Sequence, residues 1–438
     1  MNLEDLRGKK VAVAGLGINN QKLADYLQQQ KITFEIFDGW QSADALVGKL
    51  DEFEVIFRTP GLPYLSEAIQ RAKTKGVIIY SQTKLFFDMC PAKIIGVTGT
   101  KGKGTTATLL SKILEAGGRK TWLAGNIGED PFEFIDEVKP DDLVVLELSS
   151  FQLQDLHKSP HLAVVLKITA DHLDHHRTVE EYIEAKKNIV AYQTSKDFAV
   201  INYDNEVSRS FASQIESAVY WNSINQKVSP GCFVENSQIV LAPDVPVMSV
   251  SEVALIGRFN LENVTSAIAA ASALGVADLP AIRRAVSAFH GLPHRLEFVA
   301  ELDGVRYFDD SFSTVPDTAI AAIDAFSDPI VLIAGGSEKK SDYGPLGRKI
   351  AASKVKALLP IGATGQKIVQ EARKSGFAGV VAQDTMPNMK TIVETAKSLA
   401  ISGDVVLLSP AAASFGMFKN YKDRGDQFKK ILTSHGDH

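Results

Sequence analysis

The chain has 438 residues, 45% of them hydrophobic and 23% charged, with a formal net charge of -5 at pH 7. That length exceeds what one hydrophobic core holds and predicts about two to four domains, while the balanced charge excludes a disordered chain and gives no basis for a nucleic-acid surface. Cys90 and Cys232 stand far apart and outside any CxxC, so neither a disulfide framework nor a cysteine zinc site is expected, and a reducing cytoplasm fits. The first ten residues carry acids where a secretory leader needs a basic start, and no apolar run approaches ~20 residues, so no membrane span is expected.

Residues 9–17, Lys-Lys-Val-Ala-Val-Ala-Gly-Leu-Gly, read as a strand entering a glycine turn, with a helix from about Gln21 to Gln29 behind it. Phe34–Asp38 reads as a second strand ending in an acid about twenty residues on, the outline of a nucleotide-binding βαβ unit. Gly15 and Gly17 are present and a third glycine is not, so the fingerprint is partial, with Asp38 as its candidate ligand. Thr59-Pro60-Gly61 follows the apolar run Val55-Ile-Phe57, a turn at the carboxyl end of a strand, where open α/β sheets bind ligands.

A second α/β region opens near Lys93. Its segment Gly96-Val-Thr-Gly-Thr-Lys-Gly-Lys-Gly-Thr-Thr106 lies between an apolar strand and a stretch, Ala107–Glu115, whose apolar residues recur at helical spacing. Strand, glycine loop and helix start together bind phosphate: glycines let backbone N–H groups converge on an anion, and the helix start adds partial positive charge. The candidates are Gly99, Thr100, Lys101, Gly102, Lys103, Gly104, Thr105 and Thr106, with Lys103 for the outer phosphates and the Thr105 hydroxyl for magnesium. A strict P-loop would have glycine at Val97 and Ser or Thr at Gly104.

Further strands are expected at Thr121–Gly125, Leu143–Ser149, Ala163–Ile168 and Phe198–Tyr203. Residues 225–256 alternate without a helical period and predict a small antiparallel sheet, after which helices at Leu261–Leu274 and Leu279–Ala288 close the region. The βα rhythm resumes with Arg306–Asp309, Ile330–Ala334, Ala357–Ile361, Val380–Gln383 and Val405–Ser409. The expectation is an α/β protein of three sequential domains. These are a Rossmann-like domain over 1–91, a central P-loop-type ATP-binding domain with the small antiparallel sheet over 92–295, and a Rossmann-like domain over 296–438.

Two further clusters offer chemistry. Glu147 ends an apolar strand just before Ser149 and Ser150, and a carboxylate with a loop hydroxyl beside phosphates is a usual magnesium set. Asp171-His-Leu-Asp-His-His176 also follows a strand; the alternative to a metal or substrate role is a solvated helix start.

The order of these motifs resembles the Mur ligase family. The resemblance runs from the phosphate loop through Gly125-Asn-Ile-Gly128, Glu147-Leu-Ser-Ser-Phe-Gln-Leu153, the Asp-His cluster and Tyr182-Ile-Glu-Ala-Lys186. Gly257-Arg-Phe-Asn-Leu-Glu-Asn263, Gly291-Leu-Pro-His-Arg295, Gly335–Tyr343 and Leu408-Ser-Pro-Ala-Ala-Ala-Ser-Phe-Gly-Met-Phe-Lys-Asn-Tyr421 are similar to the D-glutamate-adding branch. The resemblance implies a monomeric cytoplasmic ligase of peptidoglycan precursor synthesis. It would use ATP and two Mg2+ ions to join D-glutamate to UDP-N-acetylmuramoyl-L-alanine through an acyl phosphate.

Carried onto this sequence, the resemblance gives Lys103, Glu147, His172 and Lys186 catalytic roles, and Thr105, Glu147, His172 and a carbamylated Lys186 the metals. Asn260, Asn263, Arg295 and Asp310 would join the loop in holding ATP. Asn126 and Ser149, with Gly15, Gly17, Asp38, Thr59, Pro60 and Gly61, would hold the UDP-substrate. Thr314, Lys339, Ser414 and Tyr421 would hold the amino acid. Lys101, Phe312, Val315 and Tyr421 depart from residues common in the family, and Gly104 is shared with folylpolyglutamate synthase. That enzyme, a Mur-type ligase of other amino-acid specificity, and a non-catalytic UDP-sugar-binding relative are the alternatives. A nicotinamide dehydrogenase is the poorest, for want of the third glycine.

Overall fold

The computed structural model describes residues 1–169, 176–338, 341–382 and 386–434. The chain divides into two compact units, one of Met1–Val253 with Leu261–Ala288, the other of Ala254–Asn260 with Phe289–His438.

The first unit holds two sheets. Strands β1 (Val11–Ala14), β2 (Glu35–Phe37), β3 (Val55–Arg58) and β4 (Ile78–Tyr80) form a parallel sheet in the order β2-β1-β3-β4. The second sheet is built from β5 (Lys93–Thr98), β6 (Thr121–Gly125), β7 (Leu143–Glu147), β8 (Leu162–Val165), β9 (Phe198–Asn202), β10 (Ala218–Ser223), β11 (Gly231–Glu235), β12 (Gln238–Leu241) and β13 (Val245–Ser249). Its order is β13-β12-β11-β10-β9-β8-β5-β7-β6. The chain leaves β5 toward β6 and β7 on one side and reaches β8 on the other. The carboxyl end of β5 is therefore a topological switch point, where a parallel sheet leaves a crevice.

Residues 225–256 do not make a separate small sheet. β11, β12 and β13 pair antiparallel with one another, but β11 runs parallel to β10, with Trp221 opposite Gly231, so the three strands extend the main sheet. The expected parallel strands are apolar on both faces because both are covered: all five residues of β7 and all four of β8 are buried.

One core runs from the first sheet into the second, and it includes Leu23, Phe57, Phe86, Phe132, Val144 and Leu146. Aromatic pairs mark the seam: Tyr26 and Phe132 have ring centroids 5.1 Å apart, and Phe86 meets Phe132 at 6.2 Å. Arg58 crosses it too. The fully buried guanidinium donates to the carbonyls of Leu62 (2.7 Å) and Phe151 (3.0 Å) and pairs with Asp155 at 3.1 Å.

The second unit is one sheet of β14 (Glu297–Leu302), β15 (Val305–Asp309), β16 (Ile330–Gly335), β17 (Val355–Ile361), β18 (Val380–Val381) and β19 (Val405–Leu408). Its order is β14-β15-β19-β16-β17-β18, parallel except for the β14–β15 hairpin. Apolar clusters cover both faces, with Leu332, Leu346 and Ile368 on one and Ile333, Ile392 and Phe428 on the other. Among the described residues no helix is long and apolar enough to cross a membrane.

Candidate active site

The glycine loop lies at the switch point of the nine-stranded sheet. β5 ends at Thr98 and a helix runs over Lys103–Ala116 directly after Gly102, giving the expected order of strand, loop and helix. Gly102 has φ +86, and a Cβ there would also overlap Asn263 Oδ1. Asn263 in turn accepts the Thr106 hydroxyl at 3.2 Å, so it bears on both the loop and the first turn of the helix. The first N–H groups of that helix have no intrahelical acceptor, which is what an anion site requires.

Two lysines meet at the loop. Lys103 Nζ donates to the carbonyls of Gly99 (3.2 Å) and Thr100 (3.1 Å), and Lys186 Nζ donates to the same Gly99 carbonyl at 2.9 Å and to Thr98 Oγ1 at 3.4 Å. Lys186 is buried on the helix Val179–Ala191, capped by the Thr178 hydroxyl, with its ammonium 4.7 Å from the centroid of the Tyr182 ring. Thr100 is committed to structure: its N–H goes to Lys167 O, and its hydroxyl bonds Thr169 O and Tyr182. Lys101 is exposed, whereas Thr105 and Thr106 are buried.

Glu147 is the last residue of β7, opposite Val97 of β5 and Gly125 of β6. It is 6% exposed, and its Oε2 accepts no hydrogen bond among the described residues. A buried carboxylate oxygen without a donor is costly unless a cation or ligand reaches it. That makes the position fit a hard divalent cation. Asn126 N–H reaches Glu147 O at 3.4 Å, and its side chain donates to Gln152 Oε1, as do the Ser149 N–H and hydroxyl. Ser149 is thereby the cap of a short helix, Ser150–Leu153.

His172 lies outside the described residues, as does Lys339. The described end of the Asp-His cluster, His176, is buried; its Nε2 is 2.9 Å from Ser150 Oγ and its ring stacks on Phe151 at 5.3 Å.

At the carboxyl end of the first sheet, Gly15, Gly17, Asp38 and Thr59 converge. Leu16 N–H donates to Asp38 Oδ1 at 3.2 Å, and a Cβ on Gly15 or Gly17 would crowd the Thr59 side chain. Pro60 and Gly61 follow in a turn closed by Leu62 N–H on Thr59 O at 3.0 Å. The acid expected as a ligand contact thus also accepts a backbone N–H of the glycine turn.

In the second unit Asp310 lies just past the carboxyl end of β15, beside Ser409 at the end of β19. Asp310 accepts Leu296 N–H at 3.2 Å and the Ser409 hydroxyl at 2.7 Å, and burial pushes its carboxyl up to about 7. Arg295 sits in a turn whose flanking residues, His294 (φ 63) and Leu296 (φ 47), are both left-handed. Such residues cost about 1–3 kcal/mol each and persist only where the surroundings impose them. Here His294 N–H bonds Glu297 at 2.8 Å and His294 Nδ1 meets Asp309 Oδ2 at 2.7 Å. Asn260 donates to Ile256 O at 2.7 Å, Ser414 is buried, Thr314 is half-buried, and Tyr421 begins the helix Tyr421–Thr433.

Two buried arginines went unassigned in the sequence reading. Besides Arg58 there is Arg424, which donates to Ser311 Oγ (2.9 Å), Ser311 O (2.8 Å) and Ala412 O (3.2 Å), tying the residues after β15 to the 409–421 segment. Desolvation lowers its pKa to about 10. Its signal was periodic: Arg424, Phe428 and Leu432 share the buried face of one helix.

Comparison with known proteins adds to this geometry. Residues 97–271 match the Mur ligase middle domain and residues 294–412 the Mur ligase glutamate ligase domain. A protein of Acetivibrio thermocellus named UDP-N-acetylmuramoylalanine--D-glutamate ligase is 38% identical, over 98% of this chain and 97% of its own. The chain belongs to the Mur ligase family. A relative of the same name from Symbiobacterium thermophilum is 39% identical over 97% of this chain and 98% of its own. Among solved Mur ligases, a MurF ligase of Thermotoga maritima in complex with ADP superposes with a TM-score of 0.60 at 18% identity, over 99% of this chain and 97% of that one. At that identity the likeness is one of fold, a mixed α/β architecture with several sheets.

Proposed function

We propose that this Mur ligase uses ATP to join D-glutamate to UDP-N-acetylmuramoyl-L-alanine in peptidoglycan precursor synthesis. What supports it is one arrangement, a phosphate loop at a helix start next to a buried carboxylate with an unsatisfied oxygen, in a chain that matches D-glutamate ligases along nearly its whole length. A free carboxylate is a poor electrophile; phosphorylation of the alanyl carboxylate gives an acyl phosphate with a good leaving group, which the amine of D-glutamate displaces. Lys103 and the helix start would neutralise phosphate charge as it shifts, and Arg295 would pair with an anionic group of the nucleotide. Thr314, Lys339, Ser414 and Tyr421 would hold the amino acid, and the turns around Gly15, Asp38 and Thr59 the UDP group.

Thr105, Glu147, His172 and a carbamylated Lys186 would hold magnesium, which supplies charge neutralisation on the phosphates. Carbamylation would leave Lys186 Nζ a single N–H, so it could keep only one of its bonds to Gly99 O and Thr98 Oγ1. The proposal carries with it two metal ions, a monomer, a cytoplasmic location and three functional domains at 1–91, 92–295 and 296–438.

The test is phosphate release from ATP with UDP-N-acetylmuramoyl-L-alanine and a panel of amino acids. Release that needs both the nucleotide substrate and D-glutamate is expected. Release without an amino acid, or preference for another one, would overturn the assignment.

A further inference from the structure

Phe312 is a large apolar side chain left 38% exposed. Its environment is specific. The Arg295 guanidinium carbon lies 3.9 Å from the centroid of its ring, well inside the ~6 Å range of cation–π attraction. The same ring meets Tyr421 edge to face, with centroids 5.0 Å apart at 89°. Tyr421 is itself edge-on to His294 at 5.9 Å, and His294 is the chain neighbour of Arg295. The contacts thus close a circuit: Arg295, Phe312, Tyr421, His294 and back to Arg295. Phe312 N–H also donates to His294 O at 3.0 Å, which ties the backbone of the platform to the backbone of the arginine turn.

We infer that Phe312 is a positioning residue for the nucleotide, an aromatic platform that fixes the Arg295 guanidinium. The inference rests on the reading of Arg295 as a nucleotide contact. A guanidinium resting on a ring uses its face, and its N–H donors, which lie in its plane, keep the fork geometry that pairs with phosphate oxygens. The left-handed pair His294 and Leu296 fixes where the arginine leaves the backbone, and the ring fixes where its far end lies. Without the ring, that end loses one of the contacts that order it before binding, which lowers affinity.

The experiment is calorimetric binding of ADP to the full chain, with melting temperature as a second readout. Phe312→Leu is expected to weaken ADP about two- to fivefold, as loss of an exposed cation–π contact implies, with little change in melting temperature. Phe312→Trp, which keeps an aromatic face, should bind as the unaltered chain does. In an Arg295→Ala background, Phe312→Leu should have no further effect. An equal loss in both backgrounds, no loss in either, or no rescue by tryptophan would overturn the platform role. Unchanged ADP affinity in Arg295→Ala alone would instead overturn the nucleotide role of Arg295, and the inference would fall with it.

Discussion

Asn263 Oδ1 fills the space that a Cβ on Gly102 would need, and Thr106 of the following helix donates to the same oxygen. The loop thus has one permitted residue at 102 for two reasons, a left-handed φ and a polar neighbour. Gly102→Ala is expected to cost about 1–3 kcal/mol through overpacking and to abolish most ADP binding, because the loop must move to make room. The double variant Gly102→Ala/Asn263→Ala removes the obstruction and should recover part of the stability. Urea unfolding of the three chains checks this; a double variant no better than the single one would refute it.

Glu147→Gln keeps the shape of a residue buried at the end of β7 and removes its charge. The fold should survive. The magnesium concentration for half-maximal turnover should rise by at least the ~10–100-fold that changes around a metal ligand cost. Titration of turnover against magnesium decides it, and an unchanged curve would remove Glu147 from the metal site.

Asp155 is fully buried between Arg58 at 3.1 Å and Lys84 at 3.6 Å. Removing one partner of such a pair leaves an uncompensated buried charge, so Asp155→Leu is expected to cost about 3–5 kcal/mol in urea unfolding. Arg58→Met/Asp155→Leu, which removes both charges of the closer pair, should recover most of that. A loss under about 1 kcal/mol in the single variant would contradict a stabilising role.

Burial raises the Asp310 carboxyl to about 7, above the ordinary aspartate range of ~3.9. Between those values the native chain holds a proton that the unfolded chain has released. The unfolded state therefore binds fewer protons, and this group makes stability fall as pH rises from about 4 to about 7. Asp310→Asn cannot ionise and should show a flatter dependence, matching the unaltered chain near pH 4 and exceeding it above pH 7. Unfolding at both ends of that window gives the answer; parallel slopes would mean that Asp310 is ionised throughout.

The glycine loop was legible because its signal is local: glycines, a lysine and a helical period lie within twenty-odd residues, and the structure follows them. β4 was missed since Ile78–Tyr80 is three residues long with no alternation to read, and β10 since its apolar run is only the four residues Ala218–Trp221. The Arg58–Asp155 pair joins residues 97 apart, and no spacing rule reaches that far. The left-handed turn at His294 and Leu296 was hidden because leucine seldom adopts that conformation; acceptors distant in sequence or on Glu297 take both N–H groups. Phe312 stood out in the sequence as an unusual residue, but its partner Arg295 could be named only from the structure.

The bond between Thr106 and Asn263 spans 157 residues, and it also sets a clock. During synthesis β5 and its glycine loop emerge first, their neighbours β7 and β8 later, and the asparagine that abuts the loop last. At ~5–20 residues per second the loop waits about 8–30 s for that support. A nascent chain halted before residue 263 would hold the whole glycine loop and still lack the side chain that abuts Gly102 and Thr106, so the loop's own packing is completed late in translation.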